Sequence, residues 1–264
     1  MEFLKIAGSG NDFVVVDNRK NLIRNKKSLA IKLCDRKFGI GADGLLLLEN
    51  SKNADFKMRI FNPDGSEAEM CGNGLRCILR FIYEKSISKK KNLNIETKAG
   101  ILEGKIKGKI IKVRMKVVNS PKLNIEIPIE NFKIIGNFVN TGVPHTVIFV
   151  DDVEKVNLEE IGPKIRYNKI FGESGTNVDW VEIVKNGIIR IRTYERGVEG
   201  ETLSCGTGAC ASAIITSIKE KFKSPIFVIT KSKEILKVYF DKDFEKIYLE
   251  GKTLLTFKGI WIGS

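Results

Sequence analysis

Cys71-Gly72-Asn73-Gly74 and Cys205-Gly206-Thr207-Gly208 set the same Cys-Gly-x-Gly signature twice, 134 residues apart, in a chain of 264 residues. The surroundings repeat with it. Gly41-Ala42-Asp43 begins 30 residues before Cys71, and Gly175-Thr176-Asn177 begins 30 residues before Cys205. Phe38-Gly39 and Phe171-Gly172 precede these, with one residue inserted in the second copy. Strand-like runs follow, Arg59-Ile60-Phe61-Asn62 in the first half and Arg192-Thr193-Tyr194-Glu195 in the second. Gly10-Asn11-Asp12-Phe13 opens one half and Gly142-Val143-Pro144-His145 the other. A fold duplicated about a pseudo-twofold axis would put one thiol on each side of a shared cleft.

Alternating and continuous apolar runs predict strands near 2–6, 12–17, 44–49 and 56–62, a helix after Cys71, and strands near 92–98, 101–107 and 110–118. The second half replays the order, with strands near 131–141, 145–150, 177–184 and 187–195, a helix after Cys205, and strands near 225–230, 234–241 and 245–250. Helical candidates at 27–35 and 157–167 complete a β-β-α-β-β-α-β-β-β pattern in each half. The helices after the cysteines carry Leu75, Ile78, Leu79, Phe81 and Ile82, and Ala209, Ala211, Ala213, Ile214, Ile215 and Ile218. Apolar residues cover most of each helix surface, so each is expected to be wrapped by its own sheet. The turn signal at Asn119-Ser120-Pro121 divides the chain into 1–118 and 119–251, and the strand-like segment within 252–264 is expected to return to the first domain. The expected class is α+β, two similar domains with a site in the cleft between them.

Apolar content of 42% and charged content of 29% are those of a globular protein. Met1-Glu2-Phe3-Leu4-Lys5 lacks the basic stretch and apolar run of a secretory signal, so the cytoplasm is expected and the membrane is not. Five cysteines, an odd number without an export signal, argue for thiols over a disulfide framework. The net charge of +13 permits nucleic-acid binding, but the lysines are spread along the chain. The dense run Lys89-Lys90-Lys91 reads as a solvated linker, with no zinc-finger spacing or aromatic-basic motif beside it.

A helix that opens Gly-Asn-Gly or Gly-Thr-Gly offers unpaired backbone N–H groups that an anion can approach closely. The same dipole stabilises a thiolate at the cap and draws a thiol from about 8.5 toward neutrality. Two such thiols on opposite faces of one carbon suit a two-base proton exchange, one removing a proton while the other delivers one. Nucleophilic catalysis needs a single thiolate and no symmetry. Cys34, Cys77 and Cys210 read as apolar packing. A zinc site from Cys71, Cys77, Cys205 and Cys210 lacks the usual ligand spacing, and no metal is expected.

At these residues the chain resembles the diaminopimelate epimerase family. The resemblance rests on Gly8-Ser9-Gly10-Asn11-Asp12-Phe13, Phe38-Gly39-Ile40-Gly41-Ala42-Asp43-Gly44, and Met58-Arg59-Ile60-Phe61-Asn62-Pro63-Asp64-Gly65-Ser66-Glu67 running into Met70-Cys71-Gly72-Asn73-Gly74. In the second half it rests on Gly142-Val143-Pro144-His145, Gly175-Thr176-Asn177, Tyr194-Glu195-Arg196-Gly197 and Cys205-Gly206-Thr207-Gly208. It implies a homodimer that epimerises LL-diaminopimelate to the meso form without a cofactor, in lysine and cell-wall synthesis. It also implies Cys71 and Cys205 as the acid-base pair, with Gly72, Asn73, Gly206 and Thr207 holding the substrate carboxylate through their N–H groups. Asn11, Asn62, Asn177 and Arg196 are implied to contact the substrate's amino and carboxyl groups. Glu195 is implied to receive an ammonium and influence proton transfer, and His145, the chain's one histidine, to orient and tune the site. Glu67 and Glu69 read as solvated turn residues. Val143 and Gly44 depart from the family, which commonly has asparagine at the first position and in some members glutamine at the second. The alternatives are a related racemase for a proline-type amino acid and, in another class, a thiol-redox or metal-binding protein.

Overall fold

The computed structural model describes residues 1–263. The chain divides into two compact units, Met1–Arg114 with the C-terminal stretch from Gly251, and Met115–Glu250. The division falls four residues before the boundary expected at the Asn119-Ser120-Pro121 turn.

In the first unit, strands Glu2–Gly8 and Asn11–Asp17 form a hairpin. Its turn is Ser9-Gly10, with φ of 57° and 86°, the positive pair that a two-residue hairpin loop demands. Helix α1 (Lys26–Cys34) follows, its start capped by the Asn25 side chain, which accepts from the Ser28 N–H. Strand Gly44–Glu49 lies parallel to Asn11–Asp17 and antiparallel to Phe56–Phe61. Leu45, Leu46, Leu47 and Leu48 are fully buried, as a strand covered on both faces requires. The short strand Glu67–Ala68 leads into helix α2 (Gly72–Glu84). Strands Asn92–Thr97, Gly100–Lys107 and Ile110–Met115 form a meander, and Leu254–Ile260 returns to pair with Glu2–Gly8.

The second unit repeats this order. Strands Phe132–Asn140 and Pro144–Phe149 pair antiparallel, and helix α3 (Leu158–Arg166) precedes Asn177–Lys185, which lies parallel to Pro144–Phe149. Ile188–Glu195 and the short Gly200–Thr202 lead into helix α4 (Gly206–Glu220), followed by Ile226–Ile229, Ile235–Phe240 and Ile247–Lys252. The pairings correspond strand for strand. Phe13 lies opposite Gly44 and Leu46 opposite Ile60, and in the second unit His145 lies opposite Asn177 and Asp179 opposite Thr193.

Lys122–Ile129, between the turn expected at Asn119-Ser120-Pro121 and the strand expected near 131–141, is also a strand. It alternates Leu123, Ile125, Ile127 and Ile129 and pairs with Phe132–Asn140, Pro128 sitting opposite Lys133. The two short strands ahead of α2 and α4 were not anticipated either; at two and three residues they leave no periodic signal. No helix among the described residues is long and apolar enough to cross a membrane.

Helix α2 is buried from Gly72 to Ile82 and α4 along most of its first ten residues, each inside its own unit. Burial on all sides makes both helices rigid mounts. Ile78→Ala in α2 and Ile214→Ala in α4 remove fully buried side chains. Each is expected to cost about 2–5 kcal/mol in urea unfolding.

Candidate active site

Cys71 is the N-cap of α2, in an extended conformation, and its Sγ accepts the Gly74 N–H at 3.4 Å. The third helical position is close to the sheet behind it: a Cβ at Gly74 would lie 3.3 Å from Leu46 Cδ2 and 3.5 Å from the Cys71 Cβ. The Cys71 thiol also points at Asn11 Oδ1, 3.6 Å away. Asn11 is held in turn, its Nδ2 donating to Asp43 Oδ2 at 2.8 Å. Beneath the helix start, the fully buried Arg76 donates to Asn73 Oδ1 at 2.7 Å, to Ser9 Oγ at 2.9 Å and to the Lys252 carbonyl at 3.1 Å. This guanidinium ties the Ser9-Gly10 turn to the first turn of α2. Asn73, with its side chain engaged inward, has its backbone N–H left for an incoming anion. Asn62 sits in a turn closed by its Nδ2–H to Ser66 Oγ at 2.9 Å.

Cys205 is the corresponding N-cap of α4, but its thiol makes a different contact, to Thr207 Oγ1 at 3.2 Å. Thr207 Oγ1 is 2.9 Å from His145 Nε2, and His145 Nδ1 is 2.7 Å from Asp179 Oδ2. The Thr193 hydroxyl donates to Asp179 Oδ1 at 2.7 Å. The His145 and Asp179 side chains are completely buried. Burial pushes the Cys205 thiol well above its ordinary value, and the Glu195 and Asp179 carboxylates add to the rise. The near-neutral thiol expected from the helix terminus is therefore not found at Cys205, because lost solvation and two nearby carboxylates outweigh the Thr207 and Gly208 hydrogen bonds. Glu195 is itself raised by burial, opposed by the Thr202 hydroxyl that donates to it at 2.8 Å.

Asn177 bridges two loops: its Nδ2 donates to the Pro144 carbonyl and its Oδ1 accepts the Arg196 N–H, both at 2.8 Å. The half-buried Arg196 side chain reaches the Ser174 carbonyl at 3.4 Å. Cys34, Cys77 and Cys210 are buried, Cys34 within an apolar cluster that lifts its thiol to about 12. Among the described residues no three of His, Cys, Asp and Glu group as metal ligands.

Each cysteine is also braced from the short strand ahead of it. Arg59 grips Glu67 through Nε and Nη2 at 2.7 and 2.9 Å, four residues before Cys71. Arg192 grips Glu201 in the same way at 2.6 and 2.9 Å, four residues before Cys205. Two-pronged pairing fixes direction as well as distance. Glu67 is thus a bracing residue of the strand and not the solvated turn carboxylate expected; Glu69 is exposed.

The family model for diaminopimelate epimerase matches residues 3–120 and 137–255. The chain belongs to the diaminopimelate epimerase family. It is 47% identical to the diaminopimelate epimerase of a Hydrogenobaculum species over 98% of both chains. It is 43% identical to that of Aquifex aeolicus over 98% of this chain and 97% of the relative. Among solved structures, a Bacillus anthracis phenazine biosynthesis protein of the PhzF family shares the fold, with a TM-score of 0.76 at 18% identity over 99% of both chains.

The two positions where this chain departs from the family pattern have structural counterparts. Gly44 is crowded, since a Cβ there would lie 3.0 Å from the Phe61 carbonyl oxygen and 3.3 Å from the Phe13 ring. Val143 presents its carbonyl to the Thr141 N–H at 3.1 Å. Sequence reasoning missed Asp179, Thr193 and Arg76. A signal existed for the first, an aspartate inside the apolar strand Asn177-Val178-Asp179-Trp180-Val181.

The Arg59 fork, helped by Lys98, holds the Glu67 carboxyl down to about 2, from an ordinary 4.5. A depressed carboxyl stabilises the fold above its unfolded value, and that stabilisation disappears as pH falls through about 2. Glu67→Gln is expected to cost on the order of 2–3 kcal/mol at pH 7 in urea unfolding, with the difference from the parent shrinking toward zero at the acid end.

Proposed function

We propose that this protein epimerises LL-diaminopimelate to meso-diaminopimelate without a cofactor, with Cys71 and Cys205 as the two bases. The observation that carries the reading is that both cysteines stand as N-caps of buried helices, each followed by Gly-Asn or Gly-Thr, inside the residues that match the family model. The uncovered N–H groups of Gly72, Asn73, Gly206 and Thr207 suit the carboxylate on the reacting carbon. They also favour the negative charge that builds as the α-proton leaves. One cysteine takes that proton as a thiolate and the other delivers its own, so the carbon inverts. A thiol raised by burial, as Cys205 is, suits the delivering role.

Asn11, Asn62, Asn177 and Arg196 are proposed to contact the substrate's polar groups, and Glu195 to receive an ammonium. The family membership supports placing this step in lysine and cell-wall synthesis, performed by a homodimer in the cytoplasm. A second reading, a racemase for a proline-type amino acid, draws on Val143, which offers only backbone where the family pattern supplies a polar side chain.

The test is proton NMR of reduced protein with LL-diaminopimelate in deuterium oxide, with no cofactor added. Loss of the α-proton signal together with appearance of the meso isomer is expected. Exchange with proline or hydroxyproline in its place would favour the second reading. Cys71→Ala and Cys205→Ala are each expected to lower the inversion rate at least about 100-fold. An undiminished rate in either variant would overturn the two-thiol mechanism.

A further inference from the structure

The two units share a backbone plan, and at three corresponding core positions they carry opposite chemistry. In the first unit Phe13, Leu46 and Ile60 are buried apolar residues, with Leu46 and Ile60 in register beneath the third residue of α2, Gly74. In the second unit the same places hold His145, Asp179 and Thr193, with Asp179 and Thr193 in register beneath the third residue of α4, Gly208. Asp179 comes so close to Gly208 that no side chain could stand there. An apolar trio packs this space adequately in the first unit. A buried imidazole and carboxylate cost desolvation that the fold does not require.

The hydrogen bonds give this polar trio a direction. Asp179 Oδ1 accepts from the Thr193 hydroxyl, and Asp179 Oδ2 faces His145 Nδ1. An ionised carboxylate only accepts, so Nδ1 carries a proton and Nε2 is left as the acceptor. Nε2 faces the Thr207 hydroxyl, whose oxygen faces the Cys205 thiol. Backbone contact keeps Thr207 in place, its carbonyl accepting from the Thr141 hydroxyl at 3.0 Å.

We infer that Asp179 and Thr193 are positioning residues that hold His145 as the proton acceptor for Cys205, with the Thr207 hydroxyl as the relay between them. The inference rests on the two-thiol reading above. When Cys205 must act as a base, its S–H proton passes to Thr207 Oγ1 while the hydroxyl proton passes to His145 Nε2. The products are a thiolate and an imidazolium whose Nδ1–H stays on Asp179. When the thiolate takes a proton from substrate, Cys205 is a thiol again and His145 is still an imidazolium. After product leaves, Nε2 releases its extra proton to solvent, and the thiolate that delivered the other proton takes one up from solvent. Until substrate reacts, the buried site gains a paired charge, not a lone one. The ionisable groups facing His145 and Cys205 are Asp179 from strand Asn177–Lys185 and Glu195 from strand Ile188–Glu195.

Because the chain has one histidine, protein labelled with nitrogen-15 in histidine reports on His145 alone. Nδ1 is expected to carry the proton, with Nε2 the bare nitrogen, in the resting protein. A bare Nδ1 with the proton on Nε2 would overturn the relay, whatever the substrate proves to be. Asp179→Asn is expected to abolish the preference for the Nδ1–H form. In turnover, Thr207→Val is expected to lower kcat about 100-fold with KM within about threefold, and Thr207→Ser to recover to within about tenfold of the parent. Parental kcat in Thr207→Val, or a serine variant no better than the valine one, would overturn the relay. If Asp179→Asn does not fold, the nitrogen-15 spectrum of the parent and the Thr207 pair still decide. Cys205→Ala separates the two ideas. Loss of inversion there with parental kcat in Thr207→Val leaves the two-thiol mechanism standing and removes the relay, whereas activity in Cys205→Ala removes both.

Discussion

Both central helices begin at a cysteine N-cap, and much of the surrounding structure fixes those two starts. A helix start leaves its leading N–H groups without intrahelical partners, and in a buried setting such groups need an acceptor. Glycine at the third helical position lets the helix come down onto the sheet behind it, against Leu46 in one unit and Asp179 in the other. Burial of α2 and α4 inside their own sheets then removes freedom from the caps. The paired forks of Arg59 on Glu67 and Arg192 on Glu201 fix the approach to each cap from the other side.

With the same scaffold in both units, the differences between them carry chemical meaning. Cys71 caps its helix through the Gly74 N–H and has Arg76 buried behind the first turn. Cys205 contacts Thr207, and burial, with Glu195 and Asp179 nearby, raises its thiol above the ordinary value. In the two-thiol mechanism proposed above, inverting one carbon asks the two thiols to be in opposite protonation states. The unequal surroundings of Cys71 and Cys205 are in keeping with that proposal.

Much of the fold was legible because its signals are local. The long strands announced themselves by apolar runs such as Leu45 to Leu48, and both central helices by apolar residues on every face. Lys122–Ile129 was not among the expected strands, and its role is set by pairing with Phe132–Asn140. Glu67 looked like a turn residue because its partner Arg59 is eight positions away on another strand. Asp179 and Thr193 stood among apolar neighbours in plain view, but Asp179 meets His145 from 34 residues downstream and Thr193 meets Asp179 from another strand.

The sequence by itself determined the duplication, the two helix-capping cysteines, the sheet-wrapped helices and the family, because each is written in residue order or in short-range periodicity. Only the tertiary structure decided that burial raises the Cys205 thiol and that it meets Thr207, which in turn meets His145 and through it Asp179, and that Arg76 anchors the start of α2. Burial and carboxylate proximity set a thiol's state, and a hydrogen-bonded chain across three strands and a helix exists only after those elements pack. Residue order does not record either.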